Sequence, residues 1–136
     1  MARACDARAM IVDCESDKPN ELPQTLHVRS HVLHADVIDT DTAPGPHDYF
    51  DAALASCKTL TALVYAKRHG IALERVASHV ERDDSEERNG KYVLRVRLEL
   101  FGPLSDADKA RIQNAVTRCP IHKLMTTTDV VIETLT

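Results

Sequence analysis

Residues Pro46 to His69 read PHDYFDAALASCKTLTALVYAKRH, and Gly70 follows them. This stretch predicts one long helix. Pro46 suits a first helical turn, where a missing N–H costs nothing. Gly70 suits the exit, where the backbone often turns left-handed. Such a helix is roughly 36 Å long at about 1.5 Å per residue. Between Tyr49 and Ala66 the only charged residues are Asp51 and Lys58. A helix apolar on nearly every face belongs in the middle of a protein. It does not read as a membrane span, because Asp51, Lys58 and several Ser and Thr interrupt the apolar run. Cys57 lies at its centre among Ala52, Ala53, Ala55 and Ser56. Side chains that small let other backbone come close, or leave room for something to reach the sulfur.

Upstream, the sequence reads as short strands and turns. Ala9–Cys14 (AMIVDC) predicts a first strand. Ser16–Pro23 is polar with two prolines and predicts a loop. Thr25–Val28 and His31–Val37 predict a hairpin with Arg29-Ser30 near its turn, and Asp39–Pro46 is a loop into the helix. Downstream, Val76, Ser78 and Val80 fall on one strand face. Tyr92, Leu94, Val96, Leu98 and Leu100 alternate with polar residues, which is period two with one wet face. Asn89-Gly90 suits the hairpin turn, and the charged run Glu81–Arg88 (ERDDSEER) reads as its solvated tip. Ser105 is a good N-cap for a second helix, with Asp106 and Asp108 suiting its dipole. Ile112, Ala115, Val116 and Cys119 then make an inward stripe at i, i+3, i+4 and i+7. A short helix is expected over Pro120–Met125 and a last apolar strand over Asp129–Leu135. The expected fold is α+β: an antiparallel sheet wrapped on a long central helix, in a single domain over 1–136. So apolar a helix is hard to cover with 136 residues, which points to an intimate homodimer.

Composition narrows the functional classes. Net charge is −4 and the basic residues are scattered, so neither nucleic acid nor a membrane surface is an expected partner. The first ten residues lack a signal-peptide core, and the expectation is a cytoplasmic protein. Cysteines stand at 5, 14, 57 and 119 with no close pair. That spacing argues against a structural zinc site. In a reducing cytosol the remaining options are inert packed thiols or a redox pair. Taken alone, Cys57 reads as a core cysteine. Cys119, just before Pro120, either finishes the apolar stripe or sits at a helix N-cap, where the dipole favours a thiolate. Arg118 and His122 are close enough in sequence to add positive potential there. His47, Asp48 and Asp51 cluster in the first turns of the long helix, where the carboxylates complement its dipole.

The combination PGPHDYFDAALASCKTLTALVYAKRHGI with RCPIHKLM some sixty residues on resembles the OsmC/Ohr family, over roughly residues 24–136. The C-P-I-H variant, with P-H-D before the helix, is more similar to the broad OsmC-like branch than to typical organic hydroperoxide reductases. The resemblance implies an intertwined homodimer with active sites at the subunit interface. It implies that Cys57 is peroxidatic and Cys119 resolving. The implied partners are a small organic hydroperoxide and an external dithiol reductant, and the implied chemistry needs no metal or bound cofactor. Two positions depart from the family pattern. His47 stands where a glutamate is expected, ten residues before Cys57, with Asp48 beside it as a shorter substitute. Gln24 stands where an arginine is expected, with Arg29 and Arg8 as nearby candidates. Protonated His47 or His122 could then supply the missing cation.

The resemblance therefore implies a thiol peroxidase in oxidative stress defence, passing through a Cys57 sulfenic acid and a Cys57–Cys119 disulfide. The departures support a second class, a non-catalytic module binding an apolar small molecule at the dimer interface, or a slow redox sensor. A third reading is an interaction domain with inert thiols.

Overall fold

The computed structural model describes residues 11–37 and 40–135. Cys5, Arg8, the first two residues of the expected strand Ala9–Cys14, and Asp39 lie outside them. Backbone contacts divide the chain into two compact units, Met1–Tyr49 and Phe50–Thr136, with the division inside the long helix.

In the first unit, β1 (Val12–Ser16), β2 (Gln24–Val28) and β3 (His31–Ala35) form an antiparallel meander in that order. β1 runs two residues further than expected, because its ladder with β2 continues from Val12↔Val28 to Ser16↔Gln24. Arg29 makes the β2–β3 turn with φ 55°. The long helix α1 (Pro46–Arg68) starts in this unit. The Asp48 carboxylate accepts the Gly45 N–H at 2.8 Å. This is the back-reaching half of a capping box, and it satisfies a donor the helix leaves free. The Tyr49 hydroxyl donates to the His34 carbonyl.

In the second unit, α1 closes on Gly70 at φ 62°, one residue earlier than expected. β4 (Arg75–Asp83) and β5 (Val93–Phe101) form an antiparallel hairpin. Alternation sets its inner face: Val76↔Leu100, Ser78↔Leu98, Val80↔Val96 and Arg82↔Leu94. Ser78 reaches α1, donating to the Ala55 carbonyl at 2.9 Å and lying 2.8 Å from the Thr59 hydroxyl. α2 (Asp106–Val116) starts on Ser105, whose hydroxyl accepts from the Asp108 N–H. Its stripe packs as the spacing predicts. Ala62 and Ala66 of α1 form the buried core with Ile112 and Val116, and Tyr65, Leu98 and Leu100 pack against it. Small side chains on α1 let α2 approach closely. At the end of β5, Gly102 has φ 138°, and a Cβ there would stand 2.4 Å from the Ala72 carbonyl oxygen. α3 (Pro120–Thr126) follows.

Expectations for the hairpin connection and for the C-terminal segment need correction. Asn89-Gly90 is not a two-residue hairpin turn. The ladder ends at Asp83↔Val93, and a 3-10 turn over Glu87–Asn89, capped by left-handed Gly90, fills the connection. Nor is the whole run Glu81–Arg88 a solvated tip, because its first three residues belong to β4 and Arg82 points to the inner face. The second correction concerns Asp129–Leu135, which forms no strand; Ile132 is 87% exposed. Its residues favour a strand, but a ladder needs a neighbouring edge, and none among the described residues pairs with it. No described helix is long and apolar enough to cross a membrane.

Candidate functional site: a thiol pair beside a buried lysine

Cys57 and Cys119 meet the same short helix. Cys119 is the N-cap of α3, the position that one of its two sequence readings required. Its Sγ accepts from the His122 N–H at 3.4 Å. The Cys57 Sγ accepts from the adjacent Ile121 N–H at 3.5 Å. Pro120 supplies no N–H and has the φ of a first helical turn, so Ile121 and His122 carry the first free amides of α3. The two sulfurs thus sit on neighbouring amides, although 62 positions separate them in the chain. Both are free thiols. They differ in access: Cys119 is fully buried and Cys57 is half-buried.

Beside them lies Lys58, only 4% exposed. Its ammonium donates to the Val116 carbonyl at 2.8 Å and lies 2.9 Å from His122 Nδ1. Val116 ends α2, whose last carbonyls lack partners within the helix, so a cation is well placed there. No described carboxylate pairs with Lys58. A charge buried without its opposite is expensive. This one is held by two neutral acceptors.

The sequence places Lys58 next to Cys57 but gives it no role. Its signal was a lone charge in mid-helix, which fits a wet face equally well. Its acceptors lie 58 and 64 positions away. The structure also revises His122. Burial, and then the neighbouring Lys58 charge, hold its imidazole below the usual histidine range. Both causes disfavour the imidazolium, which makes His122 a poor substitute for the missing cation. An ammonium has only donors, so His122 Nδ1 accepts, and the ring hydrogen stands on Nε2.

The remaining candidates belong to the first unit. Arg29 lies at an exposed turn, and Asp48 caps α1. His47 is half-buried in the first turn of α1. A second polar group was missed in the sequence. Asp51 accepts from Arg82 Nε at 2.6 Å through one oxygen and from the Tyr92 hydroxyl at 2.7 Å through the other. The signal was available, since Arg82 continues the inner-face series Val76, Ser78, Val80. Among the described residues, no group of three or more His, Cys, Asp and Glu is placed to hold a metal ion.

Comparison with known proteins bears on this arrangement. The sequence pattern of OsmC-like proteins matches residues 39–134. No curated protein sequence matches the chain. Among solved structures, the fold is similar to the OsmC-like protein from Mycoplasma pneumoniae, with 19% identity, 89% of each chain covered and a TM-score of 0.72. It is also similar to an organic hydroperoxide resistance protein from Legionella pneumophila, with 17% identity, 89% and 91% covered and a TM-score of 0.62. A third likeness is to the organic hydroperoxide resistance protein of Bacillus subtilis, with 20% identity, 87% and 90% covered and a TM-score of 0.57. Identities this low speak to the fold, while the pattern match spans both thiols, the long helix and the hairpin between them. With its α+β architecture and its central helix, the chain belongs to the OsmC-like protein family.

Proposed function

We propose that the protein is a thiol peroxidase that reduces organic hydroperoxides, with Cys57 attacking and Cys119 resolving. One observation carries this reading: two free thiols, far apart in sequence, rest on adjacent amides of one helical turn. The half-buried thiol is the one a peroxide can reach, and the buried one waits beside it. The Cys57 thiolate takes the distal oxygen of the hydroperoxide and the alcohol leaves. The sulfenic acid then condenses with Cys119, releasing water and forming a disulfide. An external dithiol restores both thiols by exchange. Organic hydroperoxide resistance in the Legionella and Bacillus proteins of the same fold supports this choice of substrate.

The same reading includes a homodimer in a reducing compartment such as the cytoplasm. α1 leaves Leu60, Leu63 and Val64 exposed, with Leu60 at 59%, beside the small residues Ala53 and Ser56. The unpaired apolar segment Val130–Leu135 is likewise exposed. A second copy would cover both.

The test is intact mass after stoichiometric cumene hydroperoxide, followed by peptide mapping. The expected result is rapid loss of two hydrogens, mapped to a Cys57–Cys119 bond. In Cys119→Ser a sulfenic acid should persist at Cys57. Full peroxide consumption by Cys57→Ser would overturn the assignment. A second reading, a non-catalytic binding module, rests on an open groove of about 360 Å³ lined by Lys58, Val96, Leu98, Gln113 and Val116. Unchanged mass over many minutes would favour it.

A further inference from the structure

The peroxidase reading leaves one proton unassigned, and this inference rests on that reading. When the Cys57 thiolate forms its bond to the distal oxygen, the O–O bond breaks and its electrons leave on an alkoxide. The distal oxygen keeps its hydrogen in the sulfenic acid. Sulfur is oxidised and the peroxide reduced, and the balance needs one proton for the alkoxide.

His122 is built to supply it. Its Nδ1 is occupied by Lys58. Its backbone N–H is spent on Cys119 Sγ. That leaves Nε2, which carries the ring hydrogen and bonds to no described residue. Nor is it sealed in: His122 is half-buried, and no described buried side-chain nitrogen or oxygen lacks a partner, so Nε2 reaches open space. An unspent, accessible donor therefore stands on the turn that holds both sulfurs. Behind it, Lys58 contributes an N–H aimed at Nδ1, able to refill the ring as Nε2 gives up its hydrogen.

We propose that His122, as the neutral Nε2–H tautomer, protonates the departing alkoxide, and that Lys58 is the positioning residue that fixes this tautomer and replaces the proton through Nδ1. The step consumes the thiolate, the hydroperoxide and the Lys58 proton. It yields the sulfenic acid, the alcohol and a neutral amine, which water reprotonates. The groups facing the Lys58 ammonium are the Val116 carbonyl from α2 and the His122 imidazole from α3, and Arg97 of β5 lines the same groove. No described carboxylate competes for the ammonium.

Two measurements on the full chain test this. Long-range ¹H–¹⁵N NMR of reduced protein should show His122 as the Nε2–H tautomer, turning to a mixture in Lys58→Met and persisting in Lys58→Arg. Single-turnover oxidation should then be followed with two oxidants. Cumene hydroperoxide expels an alkoxide that needs a proton, whereas peracetic acid expels acetate, which does not. His122→Phe should slow the first roughly a hundredfold, the usual scale for a lost general acid, and leave the second nearly unchanged. Lys58→Met should slow the first by less, in the same selective way. Equal slowing with both oxidants overturns the proposal, as does an unaltered His122 tautomer in Lys58→Met. Wild-type protein inert towards both oxidants while His122 holds the Nε2–H tautomer overturns the peroxidase reading itself, and is told apart by that pattern.

Discussion

Helix α1 carries two charges into the protein, seven residues apart, and they end in opposite circumstances. Asp51 meets its complement: Arg82 on one oxygen and Tyr92 on the other. Lys58 meets none, only a carbonyl and an imidazole. The first cluster is closed, with opposite charges cancelling and the carboxylate bonded at both oxygens. The second is open, with a cation, a neutral histidine and an accessible donor beside two thiols. A buried ammonium without a carboxylate is costly, and here a helix-terminal carbonyl and an imidazole offset that cost. The comparison therefore sets a charge-paired cluster against a charge without its opposite along one helix.

Breaking the closed cluster should cost most. Asp51→Ala removes the carboxylate that the largely buried Arg82 and Tyr92 share and should destabilise the fold by about 3 kcal/mol, the low end for a broken buried pair. Urea denaturation measures this, and the reactivity of Cys57 should be unaffected. Tyr92→Phe removes only one neutral donor to that carboxylate and should cost about 1 kcal/mol. Lys58→Met should change stability by less than either. It relieves a buried charge, worth about 1 kcal/mol or more, but leaves Val116 and His122 without their donor, which costs a similar amount. A loss as large as that of Asp51→Ala would erase the distinction and make Lys58 structural.

Titration sharpens the comparison further. His122 is held below its ordinary value first by burial and then by Lys58. Lys58→Met should therefore raise its midpoint, read from ring chemical shifts, without restoring it fully. For stability the sign is fixed. Below about pH 6.5 the unfolded chain binds the His122 proton more readily than the folded one, so stability falls as pH drops through that range. Lys58→Met should soften the fall. Tyr92 acts at the other extreme. Burial, together with Asp51, pushes it up to about 12. The unfolded chain ionises first, so its stabilising effect is present below about pH 10 and is lost as pH rises towards 12. The closed cluster thus fails in alkali and the open one in mild acid.

Much of this architecture was legible in the sequence. The span of α1, the stripe of α2 and the faces of the β4–β5 hairpin follow from local periodicity and cap chemistry, while the N-cap role of Cys119 was one of the two readings its place before Pro120 allowed. What escaped depends on distant partners. Periodicity near position 58 could not announce that Val116 and His122 would receive its ammonium. The run ERDDSEER hid Arg82, because composition outweighed the alternation it continued. Asp129–Leu135 has the residues of a strand, but strand formation is a property of two segments. The proximity of the two thiols is of the same kind: family resemblance implied it, while spacing alone did not.

The two glycines at Gly70 and Gly102 have different consequences for sequence variation. At Gly70 the backbone is left-handed, but no atom lies within 4 Å of an added Cβ. Asparagine, which tolerates that region, should survive selection there. At Gly102 an added Cβ collides with the Ala72 carbonyl, and backbone cannot swing aside as a side chain can. A saturation library should therefore keep glycine alone at 102 while admitting a second residue at 70. Position 102 would read as invariant among variants selected only for folding, whatever chemistry the thiols perform.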